Sequence, residues 1–152
     1  MTALADLDRR PDLPTRELPV KWVIVMDRDL PRGLQANAAA CLAASTSQAV
    51  PSILGSGGAD ASGQPHAGLP WTGCTVLAAP SAIVRSVRDE AARTAGVAVA
   101  DMAAIAQRTN VYDDYLAELA RTGAEDLSYY AVSLLGPRAD VERLTGRLPL
   151  LR

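Results

Sequence analysis

The stretch VKWVIVMDRDLPRGLQANAAACLAA, residues 20–44, decides the fold of this chain. Residues 20–26 form a β-branched, apolar run that is too continuous for a half-exposed strand, so the run predicts a central strand covered on both faces. A turn follows at residues 27–33, and residues 34–48 form an alanine-rich pattern typical of a helix with one apolar side. Strand, turn and helix make the first unit of an α/β domain.

The rest of the chain repeats this alternation of strand and helix patterns. Further strands are predicted at residues 74–78, 97–100 and 127–135, and further helices at residues 80–95, 112–121 and 137–145. Residues 51–73 hold six glycines and three prolines, which predicts a long loop. The leucine-rich tail at residues 148–151 is too apolar to hang free, and we expect it to pack onto the body of the domain.

Length and composition predict one soluble α/β domain. The chain has 152 residues, of which 49% are hydrophobic, with no Phe and a net charge of −2. Residues 1–19 alternate charge with proline and are interpreted as a flexible or extended arm, so the domain comprises residues 20–152. The acidic balance argues against nucleic-acid binding. We expect a cytoplasmic protein without a membrane anchor or signal peptide.

The two cysteines indicate neither a metal site nor a disulfide. Cys41 and Cys74 lie far apart, without the spacing of metal ligands, and each lies in an apolar run that predicts burial. Nothing in the sequence indicates a cofactor. We therefore expect no metal and no cofactor.

Two separated blocks resemble the type II peptidyl-tRNA hydrolase superfamily. Residues 20–44 are similar to its first strand, turn and helix, and GPRADVERLTGRLPLLR, residues 136–152, is similar to its closing helix and tail. Within that superfamily the chain most resembles an uncharacterised, mostly bacterial branch, domain of unknown function 2000, in the ANAAA helix (36–40) and the GLPW loop (68–71). The resemblance implies a three-layer α/β/α domain with a four-stranded mixed sheet, which is often a homodimer. It also implies hydrolysis of the ester that joins a peptide to tRNA.

This chain lacks residues that are functional in the type members of the superfamily. Their Gly-Lys-Gly-Lys sequence is matched by residues 33–36, which puts Ala36 where the functional lysine stands. Their Asp-Ala-Gly-Arg-Thr segment is matched by residues 104–109, in which Arg108 and Thr109 carry over and the aspartate aligns with Ala104 or a neighbouring residue and is lost. Asp101 lies nearby and is a candidate substitute for that carboxylate.

Seven polar side chains are candidate site residues, and most of them have a structural alternative. Asn37 could offer an amide near the helix start or make a structural hydrogen bond. Asp27 and Asp29 follow the central strand, where open α/β sheets bind ligands, although turn formation and helix capping are the favoured interpretation, especially for Asp29. The candidates for ligand binding are Asn37, Arg108, Thr109, Asp27 and Asp29, and the candidates for catalysis are Thr109, Asp101 and His66.

The cluster at residues 108–110 suits an anionic or carbonyl group, and its alternative is a helix cap by Thr109 or Asn110. His66 titrates near neutral pH and lies in a glycine-rich loop, where it could serve a lid or be incidental.

Three functions follow from these residues. The first is binding, with or without transformation, of a small acyl or nucleotide-like ligand. The second is hydrolysis of peptidyl- or aminoacyl-tRNA esters by a rebuilt site, against which the missing lysine and the acidic charge count. The third is a non-enzymatic, homodimeric interaction module.

Overall fold

The computed structural model describes residues 7–152 and shows a mixed α/β fold. The strands are β1 (Val20–Asp27), β2 (Gly58–Ala59), β3 (Pro65–His66), β4 (Thr75–Ala79), β5 (Ala98–Ala103) and β6 (Tyr129–Pro137). The helices are α1 (Arg32–Ala49), α2 (Ser81–Ala92), α3 (Ile105–Arg108), α4 (Tyr112–Arg121) and α5 (Arg138–Thr145). Four strands form one sheet in the order β4-β1-β6-β5, and β2 and β3 pair separately.

The main sheet is mixed, and β1 lies inside it. β1 runs parallel to β4, with Val25 opposite Leu77, and antiparallel to β6, with Val25 opposite Val132. β6 is in turn antiparallel to β5, which forms one edge of the sheet. Because β1 has a neighbour on each side and helices over both faces, its apolar run is buried, as the sequence predicts.

Helices cover the two faces of the sheet and give three layers. On one face, Trp22, Ile24 and Met26 of β1 pack in a buried cluster with Ala38 and Leu42 of α1. On the other face the buried cluster joins β1 to α2 and α5, and includes Val23, Val25, Val84, Val87, Val141 and Leu144. Alternate residues of a strand point to opposite faces, which explains how one apolar run supplies both clusters.

Several local expectations are corrected by the structure. β5 extends to Ala103 rather than ending at residue 100, and the short helix α3 was not predicted. The predicted loop at 51–73 contains a 3-10 turn (Pro51–Ile53) and the β2–β3 hairpin. The cysteines were expected to be buried, but both are exposed. Cys41 lies beside the buried stripe of α1, which is formed by every fourth residue, namely Ala38, Leu42 and Thr46.

The two ends of the described chain contact the body of the domain. Arg138 donates hydrogen bonds to the carbonyl oxygens of Thr15 and Leu18, both at 2.6 Å. The predicted arm begins with residues 1–6, which lie outside the described part, and its boundary at residue 19 stays a prediction.

The C-terminal tail packs as predicted. The Ala78 N–H donates to the Pro149 carbonyl at 2.8 Å, and the Leu151 N–H donates to the Val76 carbonyl at 3.0 Å. The tail therefore pairs with β4 along the edge of the sheet.

Candidate functional site

A cleft lies beside the β5 edge, between α1 and the segment that runs through α3 into α4. Its volume is about 450 Å³. Residues from α1, β5, α3 and α4 line it, together with the link between the last two helices: Asn37, Cys41, Leu42, Ser45, Asp101, Met102, Ala106, Gln107, Thr109, Asn110, Val111, Tyr112 and Tyr115. The volume lies within the range of small-molecule sites, about 300–1,000 Å³.

Helix α1 contributes one polar row to the cleft. Asn37, Cys41 and Ser45 are spaced by four residues, so they lie above one another on one side of the helix. Leu42, which is buried against the sheet, forms an apolar part of the wall behind them. This side of α1 therefore offers an amide, a thiol and a hydroxyl to anything in the cleft.

Asp101 supplies the only carboxylate among the lining residues, and Arg88 of α2 holds it in place. The Arg88 Nε donates to Asp101 Oδ2 at 2.9 Å, and the two side chains are 33% and 25% exposed. The guanidinium also lies over the Tyr129 ring, 5.3 Å from its centroid. Arg88 is thus fixed by a carboxylate and an aromatic face together, and it fixes the orientation of Asp101 in turn.

Two tyrosines from the first turn of α4 stand at the other wall. The rings of Tyr112 and Tyr115 meet edge to face, with centroids 5.6 Å apart at 60°. Tyr112 is 72% exposed, whereas Tyr115 is half-buried. Burial, assisted by the negative charge of Asp101, raises the pKa of Tyr115, so its hydroxyl remains a neutral donor and acceptor at neutral pH.

The lining favours a neutral ligand that forms hydrogen bonds. It contains three amides, several hydroxyls and one carboxylate already paired with Arg88, and it includes no Lys, Arg or His. Within the described residues, no group of three or more His, Cys, Asp or Glu is placed to hold a metal ion. Amides can pair with a ligand carbonyl and N–H at the same time.

Three of the seven predicted site residues line this cleft, and Arg108 is one of the four that do not. Asn37, Asp101 and Thr109 come from α1, β5 and the end of α3. The Thr109 hydroxyl also donates to the Ile105 carbonyl at 3.2 Å, so it binds its own short helix. The Arg108 side chain is 63% exposed, and its Nη2 lies 3.8 Å from Glu118 Oε1 of α4.

Asp27 and Asp29 form a turn outside the cleft lining. The Asp27 carboxylate accepts the Asp29 N–H at 3.0 Å, and the Gln35 amide donates to the Asp27 carbonyl at 3.1 Å. These contacts tie the end of β1 to the start of α1.

His66 lies in β3, and the cleft lining does not include it. Its Nε2 is 3.4 Å from Asp60 Oδ2, and both side chains are largely exposed. Hydrogen bonds from the Ser62 hydroxyl and from the Gln64 and Ser62 N–H groups hold the pKa of Asp60 down, at about 2. The Asp60 carboxylate is thereby committed to its own turn.

Sequence reasoning missed several residues of the cleft. Cys41 and Ser45 follow from Asn37 at helical spacing and could have been found by that signal. Ser45 lies well inside α1, which continues to Ala49, and the adjacent Thr46 is buried. No local signal connects Arg88 with Asp101, since packing of α2 against β5 brings them together.

Comparisons with known proteins agree with this architecture. A family model described as protein of unknown function (DUF2000) matches residues 20–152. The chain belongs to this family. A solved structure, that of the protein of unknown function Atu0240 from Agrobacterium tumefaciens strain C58, is similar to this chain, with a TM-score of 0.80 and 15% sequence identity. That match covers 88% of this chain and 98% of the other, and at this identity it shows the fold alone.

No curated protein shows a significant match to this DUF2000 chain. No helix in residues 7–152 combines the length and apolar character needed to cross a membrane.

Proposed function

We propose that this DUF2000 protein binds a small, neutral acyl or nucleoside-like compound in the cleft beside β5. The observation that carries the proposal is the convergence of Asn37, Asp101 and Thr109, from three separate elements, on one cavity of about 450 Å³. Such a concave site with a few convergent polar groups is the usual form of a small-molecule site.

The charge of the lining supports a neutral ligand. Asp101 is the one charged residue in the lining. Its hydrogen-bond partner, Arg88, does not line the cleft. A phosphate placed there would face a carboxylate without a cation to stabilise it. A carbonyl or ring amide instead matches the amides of Asn37, Gln107 and Asn110.

The apolar part of the lining supports an acyl chain or a flat ring. Leu42, Met102 and Val111 provide aliphatic and thioether surface, and Tyr112 offers a largely exposed ring. An aromatic face at the mouth of a cleft can stack on a planar group while its hydroxyl stays in water.

Binding is tested with two probe sets, N-acetyl amino acid amides and nucleosides, by isothermal titration calorimetry. We expect saturable binding of one set, weakened about tenfold in Asn37→Ala, which is the effect of losing roughly one hydrogen bond to a buried ligand. The matched control is Gln48→Ala, which removes an exposed amide from the same helix about three turns further along. Equal affinity in Asn37→Ala, Gln48→Ala and the unchanged protein would reject the cleft as the site.

Hydrolysis of peptidyl- or aminoacyl-tRNA esters is the second candidate. The hydroxyl of Ser45 and the thiol of Cys41 lie in the same cleft as the Asp101 carboxylate, which favours it. The type II peptidyl-tRNA hydrolase resemblance supplies the reaction, in which water adds to the ester carbonyl and tRNA leaves as the alcohol. Ala36 in place of the lysine, and a lining free of cations, rank it below simple binding.

The release of free tRNA from N-acetyl-aminoacyl-tRNA separates the two candidates. If the protein is a hydrolase, turnover falls in Asp101→Asn and persists in Asp89→Asn. Asp89 is a matched control because it also bonds Arg88, at 3.2 Å, but does not line the cleft. Ligand binding without turnover would reject the hydrolysis candidate and leave the binding proposal unchanged.

The homodimeric interaction module is the third candidate. Val111, Tyr112 and Leu116 leave an exposed apolar surface at the start of α4, with exposed fractions of 55%, 72% and 44%. Light scattering after gel filtration tests it, and a monomer in both the unchanged protein and Leu116→Ser would reject it.

A further inference from the structure

A second cavity lies at the end of the sheet away from the cleft. It has a volume of about 240 Å³ and lies around the first residues of β1, where Val20 is opposite Pro137 of β6. The cleft residue Met102 pairs instead with Ala131, near the start of β6. Three cations and three hydroxyls line this second cavity: Thr15, Arg16, Lys21, Thr72, Thr75 and Arg138.

Arg138 is held rigidly in this cavity. Its Nε donates to the Leu18 carbonyl and its Nη2 to the Thr15 carbonyl, both at 2.6 Å, and the side chain is only 23% exposed. These bonds fix the plane of the guanidinium before any ligand arrives. A fixed fork of N–H donors is the geometry that recognises a phosphate or carboxylate.

Lys21 and Arg138 share one carboxylate oxygen. Lys21 Nζ lies 3.2 Å and Arg138 Nη1 lies 2.9 Å from Glu142 Oε1, so the two cations stand within reach of a single small anion. The bonds from Arg138 and Lys21 lower the pKa of Glu142, which therefore stays charged at neutral pH. Glu142 does not line the cavity, and one carboxylate leaves one of the two positive charges without compensation.

Donors remain for a ligand after these contacts. A guanidinium has five N–H groups, of which Arg138 uses three, and an ammonium has three, of which Lys21 uses one. Each cation thus keeps two N–H donors, and hydroxyls of Thr15 and Thr75 line the same space. No acidic side chain is among the lining residues.

We propose that this cavity binds the phosphoryl group of a small phosphorylated compound. The volume suits one phosphoryl group with a short attachment, and Arg16, Lys21 and Arg138 line the same cavity. The chain as a whole carries a charge of −2, which disfavours a long polyanion. The site is separate from the cleft, so its failure or success leaves the cleft proposal untouched.

Titration with inorganic phosphate and with glycerol phosphate at low ionic strength, followed by amide NMR shifts, tests the site. We expect saturable shifts centred on residues 15–16, 72 and 75. Lys21→Gln should weaken binding about tenfold, the effect of one charge-assisted hydrogen bond. Glu142→Gln should strengthen it, because the competing carboxylate is removed. Arg121→Gln, an exposed cation at the end of α4, is the control and should leave the affinity unchanged.

Opposite effects of two substitutions cannot arise from a general loss of folding. If Lys21→Gln does not fold, Glu142→Gln decides alone: tighter binding supports the site, and unchanged binding overturns it. Absence of saturable shifts in the unchanged protein overturns it as well. Binding of a single-stranded RNA oligonucleotide but of neither small phosphate would overturn it in favour of a nucleic-acid surface.

Discussion

The indole N–H of Trp22 donates to the hydroxyl oxygen of Ser133 at 2.8 Å, deep in the sheet. The same Ser133 oxygen lies 2.8 Å from the Thr46 hydroxyl of α1. All three side chains are buried, with exposed fractions of 3% or less. This small polar network joins β1, β6 and α1 inside an otherwise apolar cluster, where a polar group without a partner is costly.

Ser133→Ala is therefore expected to lower the free energy of unfolding by about 2–4 kcal/mol, because it leaves the Trp22 N–H and the Thr46 hydroxyl without their partner. Urea unfolding followed by tryptophan fluorescence measures the loss. Ser128→Ala is the matched control, since Ser128 is exposed just before β6, and it should change stability by less than about 0.5 kcal/mol. Similar stabilities of the two variants would contradict a structural role for the network.

Tyr129 predicts a loss of stability at alkaline pH. Burial raises the pKa of its hydroxyl above 10.0, despite the opposing effect of the nearby Arg88 charge. The folded chain then holds this proton more tightly than the unfolded chain, so the free energy of unfolding falls as the pH rises from 10 through the raised pKa. In Tyr129→Phe this fall should be shallower, whereas it should persist in Tyr112→Phe, which changes an exposed ring. The measurement is the urea midpoint of the unchanged protein and of both variants, taken from pH 8 upwards. A pH dependence of Tyr129→Phe that runs parallel to that of the unchanged protein would contradict the prediction.

Elements with strong local signals could be predicted from the sequence. α4 was predicted at residues 112–121 and begins and ends there, because acidic residues occupy its first turn and Thr122-Gly123 follows it. β5 was predicted too short because Asp101 interrupts its apolar pattern. The structure shows Arg88 pairing with that carboxylate, which allows the strand to continue. α3 has only four residues and therefore no helical periodicity to find.

Some residues of the candidate cleft could also be predicted from the sequence. Asn37, Asp101 and Thr109 were singled out by residue type and place in the chain, and the fold brings them to one cavity. Tyr115 was not, because a tyrosine inside a helix gives no local signal that it lines a cleft. That α1 and α4 face each other across the β5 edge depends on the strand order, which no local pattern contains.

In the loop at residues 51–73, we expect the stability of the fold to depend on glycine at position 68. A Cβ built on Gly68 would overlap the carbonyl group of Gly55, and backbone cannot yield as a flexible side chain does. We expect Gly68→Ala to lower the free energy of unfolding by about 1–3 kcal/mol, as overpacking does elsewhere. The control is Gly58→Ala, where nothing lies within 4 Å of the added Cβ and φ is not positive. Urea unfolding compares them, and equal stabilities would show that the loop can move apart.

We expect the C-terminal tail to prevent other chains from pairing with the β4 edge of the sheet. Its two backbone hydrogen bonds, from Ala78 N–H to Pro149 and from Leu151 N–H to Val76, occupy donors and acceptors that an edge strand would otherwise present to another chain. Removal of residues 148–152 should lower the free energy of unfolding by about 1–3 kcal/mol, as two hydrogen bonds and the packing of Leu148 are lost. It should also produce concentration-dependent association, measured by light scattering after gel filtration. Removal of Arg152 alone keeps both bonds and should change neither property. A truncated chain that stays monomeric while losing stability would assign the tail to stability only, and one that changes in neither respect would contradict the prediction as a whole.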